Sequence, residues 1–138
     1  MKVIVLGAKW ILASLAASLA AAAAYAAVLC SLAIVGEMIG GNSVGISALW
    51  GVVGFFVAVP VHFVGIAVAG PIAQVLLTRT SRDGAIAAAI TGAGLALSGA
   101  LLLFGIAAGW GGLLLAIPTP LSGAIGGVVF RKVMLAYY

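Results

Sequence analysis

Carboxylates are almost missing from this chain: Glu37 and Asp83 are the only two in 138 residues. No carboxylate pair is therefore available for general acid–base chemistry. Cysteine is limited to Cys30, which excludes an intrachain disulfide and any Cys-rich metal cluster. Histidine is limited to His62, and neither an H-E-x-x-H spacing, a G-x-S-x-G elbow nor a P-loop occurs. A nucleophile made from Cys30 and His62 would need an activating polar setting that the surrounding aliphatic residues do not supply. Cys30 reads instead as a small core residue. No catalysis is expected.

Charge of either sign is also scarce, at 6% of residues, against about 25% in soluble domains. The net charge of +4 and the pI near 9.7 come from six basic residues scattered in pairs, with no basic face and no interleaved aromatics, so nucleic acid is not an expected partner. What fills the chain instead is apolar: 66% hydrophobic residues and a mean hydropathy of +1.41. There is too little polar surface to cover such a protein in water, so lipid must cover it. The layout resembles that of many small four-span bacterial membrane proteins, in composition and hydropathy only.

Four spans are predicted, at about 10–35, 45–78, 85–104 and 111–130, forming a single all-α transmembrane bundle over residues 1–138. Lys2 and Lys9 ahead of an Ala/Leu run, with Ala24-Tyr25-Ala26, have the form of a signal peptide. The apolar run from Trp10 to Val35 is longer than a 7–15-residue signal core, so an uncleaved first span is expected. The first break is placed at Gly36–Ser43, with Glu37, Gly40-Gly41 and Asn42. Trp50 is a candidate interfacial anchor for the second span. The polar stretch Thr78–Gly84 separates spans two and three, and a glycine-rich connection at Gly105–Gly112 carries Trp110. This division places Lys2, Lys9, Arg79, Arg82, Arg131 and Lys132 on one side, and the positive-inside bias assigns that side and both termini to the cytoplasm of a bacterial-type inner membrane.

An internal similarity is present at a constant offset. Gly51, Gly54, Ala58, Val59, Pro60 and Gly65 match Gly109, Gly112, Ala116, Ile117, Pro118 and Gly123. A duplicated helical hairpin, repeated in parallel about an axis along the membrane normal, would leave such a trace. Chance in a chain rich in glycine and alanine would leave it too.

Packing signals outnumber chemical ones. Ser14 and Ser18, Gly94 and Ser98, and Gly123 and Gly127 each put small residues four apart, which flattens one helix face and lets backbones approach in lipid. Such faces serve contacts within the chain and contacts with a neighbouring protein alike. Pro60 and Pro71 in span two, and Pro118 and Pro120 in span four, remove backbone donors and predict kinks. Broken helices can expose carbonyls to a substrate or ion, but no acidic residue accompanies these breaks. His62, two residues after Pro60, could ligate a haem or pigment metal, relay a proton or cap a carbonyl. A second haem-ligating histidine is lacking, so the expectation is a neutral ring bonded to a backbone carbonyl, with no bound cofactor.

The expected function is packing against lipid and other membrane proteins, or self-association, as an accessory or assembly subunit or an immunity-like protein. A minimal oligomeric transporter or channel built on the proline-broken spans, and a haem- or pigment-binding subunit using His62, are the alternatives.

Overall fold

A computed structural model describes residues 2–40, 45–80, 84–102 and 115–136. All of the regular structure among them is helical, in four helices: α1 (Lys2–Gly40), α2 (Gly45–Arg79), α3 (Ala85–Ala100) and α4 (Thr119–Leu135). Residues 101–102 widen into a π turn after α3. A turn at Ile117 and Pro118 leads into α4. Gly41, Asn42, Arg82, Asp83, Gly109, Trp110 and Gly112 lie outside the described residues.

Two of the helices are long and apolar enough to cross a membrane, at Leu6–Gly40 and Leu49–Arg79. Only 11% and 6% of their most apolar windows are buried, which is not how the core helix of a soluble protein is placed. α1 overruns the expected 10–35 span at both ends. The break expected from Gly36 is helix as far as Gly40, and Glu37 belongs to the last turn of α1 rather than to a loop. One interior glycine costs a helix only about 1 kcal/mol, and Glu, Met and Ile around it are compatible with helix, so Gly36 alone does not stop it.

Contacts along the helices fix their directions. A Cβ on Gly51 would stand 3.0 Å from Cys30 Cβ, and one on Gly126 would stand 3.2 Å from Ile66 Cδ1 and 3.3 Å from Ala21 Cβ. α2 therefore runs antiparallel to α1, and so does α4, whose Phe130 joins Ala13 and Ala17 in the buried core. A Cβ on Gly127 would overlap the Ala88 carbonyl oxygen and one on Gly123 the Gly92 carbonyl oxygen, so α3 is antiparallel to α4. The start of α1 and the ends of α2 and α4 share one end of the molecule. Lys9, Arg79, Arg131 and Lys132 gather there, and Glu37 lies at the other end.

The packing is asymmetric. α1 lies along both α2 and α4, and α3 lies along α4, whereas α2 meets α3 only lightly. A two-fold repeat of hairpins would make the α2–α3 contact equal to the α1–α4 contact. It does not, and the matched prolines differ as well: Pro60 is inside α2, while Pro118 is the N-cap of α4.

The interior is built from small side chains. Ala13, Ala17, Ala21, Ala22, Ala58, Ala88, Ala100 and Ala116 are buried, with Ser14, Ser18, Thr119 and Ser122. Large apolar residues point outward instead: Ile39 is 83% exposed, Ile86 77% and Phe56 70%. With so little volume between them the helix backbones come close, and dispersion contacts replace bulky side-chain interdigitation.

Candidate functional site

Polar side chains from three helices meet around His62. The ring sits at the centre of α2, about 26 Å along the helix from either end at 1.5 Å per residue. Its Nδ1 lies 2.8 Å from the Ala58 carbonyl oxygen one turn back. Its Nε2 lies 3.1 Å from Ser122 Oγ on α4. Ser122 is fully buried and its hydroxyl is also within 3.0 Å of the Thr119 carbonyl. Tyr25 of α1 packs edge to face on the imidazole, with ring centroids 6.0 Å apart at 61°, and its hydroxyl donates to the Leu115 carbonyl at 3.1 Å.

Local sequence explains the assembly. Ala58 and the alanines around Tyr25 leave room for two rings between helices. Pro118 caps α4 and Pro120 occupies its first turn, where the missing N–H has no intrahelical acceptor to lose. Residues 115–116 are helical too, so these two prolines sit where the helical path is interrupted by a turn and α4 begins. That start lies beside the middle of α2, since Ser122 of the next turn reaches His62. Pro60 and Pro71 lie within α2, which is helical on both sides of each. Their absent donors free the carbonyls of Phe56 and Ala67, and His62 bonds to neither: it uses Ala58.

The remaining candidates divide cleanly. Ser14 and Ser18 face the interior at 1% and 0% exposure, Ser18 Oγ donating to Leu15 O at 2.8 Å. Gly123 and Gly127 pack on α3, against Gly92, Ala96 and Ala88. Gly94 and Ser98 are not part of that contact: both are exposed, and a Cβ on Gly94 would meet nothing within 4 Å. The internal face of α3 is the Ala88-Gly92-Ala96 row, one register away. Cys30 is half-buried against Gly51, eleven residues and about 16 Å of helix from His62, so the two do not form a dyad.

Both ring nitrogens of His62 are engaged, so a haem or pigment metal could be ligated only by displacing Ala58 or Ser122. No group of three or more His, Cys, Asp and Glu that could hold a metal occurs among the described residues. Tyr25 is the site residue that the cleavage-site motif obscured. A phenol placed amid an alanine run within a span has to find an acceptor, because lipid provides none, and that requirement is visible in the sequence.

No family model matches this chain, and neither a curated protein nor a solved structure is significantly similar to it.

Proposed function

We propose that this chain is a four-span protein of a bacterial-type inner membrane, with both termini cytoplasmic, that acts without catalysis by packing against another membrane protein as an accessory, assembly or immunity-like subunit. The outward-facing Leu, Ile, Val and Phe side chains suit a lipid surround. The basic end formed by Lys9, Arg79, Arg131 and Lys132 suits the cytoplasmic side. Pro60 and Pro71 bend α2 so that its long apolar stretch fits a hydrocarbon layer of about 30 Å.

The observation that carries the packing role is the open Gly94–Ser98 face of α3. The other small-residue pairs are filled within the molecule, and among the described residues nothing fills this one. The occupant that suits it is a transmembrane helix of a partner protein, whose backbone can approach where there is no Cβ.

A photo-crosslinking residue at position 98, irradiated in intact membranes, tests this. One heterologous membrane-protein adduct, lost in Gly94→Leu while the bundle stays folded, is the expected result. An adduct of twice the chain's mass would instead indicate self-association. Absence of any protein adduct would refute packing through this face.

A second reading, a minimal oligomeric transporter, draws on the start of α4 beside the middle of α2. Half-helix ends at that depth form ion and substrate sites in transporters. Self-association together with flux in reconstituted vesicles would favour it.

A further inference from the structure

The hydrogen atoms around His62 can be counted, and the count assigns both a tautomer and a second state. Ala58 O is only an acceptor, so Nδ1 at 2.8 Å from it must carry a proton; a bare Nδ1 would set two lone pairs against each other. In the neutral ring Nε2 is then bare and needs a donor. Ser122 Oγ–H, 3.1 Å away, is that donor. The Thr119 carbonyl, the hydroxyl's other acceptor at 3.0 Å, is not orphaned by this choice, because the amide of Gly123 lies one helical turn on.

If Nε2 takes a proton, the count still closes. The new N–H donates to Ser122 Oγ, and the hydroxyl hydrogen swings to Thr119 O. No heavy atom has to move. Ser122 allows this because its hydroxyl, within reach of Nε2, both donates and accepts. A charged ring in hydrocarbon is costly unless each N–H has a partner, and here both do.

Among the described residues nothing nearby supplies an opposing charge. Tyr25 is the titratable group that faces the ring, and its proton is committed to Leu115 O. α3 has no titratable residue. Arg131 and Lys132 lie about 13 Å or more beyond Ser122 along α4, Glu37 about 18 Å beyond Tyr25 along α1, and Arg79 about 26 Å beyond His62 along α2. The start of α4 contributes a partial positive charge one turn from Ser122, so the two oxygen acceptors, and no anion, hold the cationic form.

We infer that His62 is a reversible proton-binding site inside the bundle, held as the Nδ1–H tautomer when neutral and protonated at Nε2 when acidified, with the Ser122 hydroxyl as the swivel between the two states. The ligand is a single proton from water, and the site gains one positive charge when it binds. This inference is independent of the packing role, because it concerns the closed interior and not the face of α3.

His62 is the only histidine, so nitrogen NMR of the ¹⁵N-histidine-labelled protein in bilayers reads it without ambiguity. At about pH 8 the expected spectrum has a protonated Nδ1 and a bare Nε2, and both should be protonated on acidification to about pH 4. Ser122→Ala should shift the Nε2 resonance and leave Nδ1 in place. A neutral ring protonated at Nε2, an unchanged spectrum across that range, or an Nε2 resonance indifferent to Ser122→Ala would each overturn the assignment. The first and second outcomes are read on the unmodified protein, so a misfolded variant does not decide them.

Discussion

Gly92 and Gly123 meet backbone to backbone: a Cβ built on either one would overlap the carbonyl oxygen of the other. Neither backbone can yield without moving a whole helix, so Gly92→Val and Gly123→Val should each pry α3 from α4. Overpacking costs typically 1–3 kcal/mol, and backbone neighbours put these sites at the upper end. Thermal unfolding in mild detergent measures it. Gly94→Ala, on the open face, should leave the transition temperature unchanged or slightly raised.

His62 separates two kinds of substitution. His62→Gln retains an N–H that can reach Ala58 O, whereas His62→Leu leaves Ser122 without its partner across the α2–α4 contact. The cost of a lost hydrogen bond within a membrane averages about 0.6 kcal/mol and reaches about 1.7. His62→Leu should therefore destabilise by that amount and His62→Gln by less, in the same unfolding assay. Equal and large losses from both would point to a ligand role instead.

Topology follows from the basic end. Reporter fusions after Thr80 and after Tyr138 should read cytoplasmic, and fusions near Gly41 and Gly109 external. A cytoplasmic reading at Gly41 would contradict the four-span arrangement.

Pro60→Ala should be nearly neutral or mildly stabilising. Alanine restores a donor to the Phe56 carbonyl and removes the ring clash, and Pro60 is on the exposed side of α2, away from His62's partners. Circular dichroism and unfolding in detergent check this. A collapse of expression would mean that Pro60 sets the helix packing.

The sequence made the helical class legible because scarce charge and long apolar runs leave few alternatives, and Lys9, Arg79, Arg131 and Lys132 fall at one end of the antiparallel helices. Helix ends were less readable. Gly36 looked like a terminator, but a lone glycine is a weak one, and α1 is helical through Gly40. Small-residue registers were ambiguous for a different reason. In α3 both Gly94-Ser98 and Ala88-Gly92-Ala96 satisfy the same spacing, and only the position of α4 decides which row is internal. His62 was singled out by its solitude. Its partners Ser122 and Tyr25 are distant in sequence, so their convergence depends on the order in which four helices pack.

That order has a temporal side. α1 and α3 both rest on α4, and α4 is synthesised after both. While the ribosome is still extending the chain, α1 has α2 beside it, but α3 has no close partner. A nascent chain stopped near residue 102 would expose the Gly92 row to whatever surrounds it, including insertion factors and quality-control proteases. That row is hidden once the seventeen-residue α4 arrives.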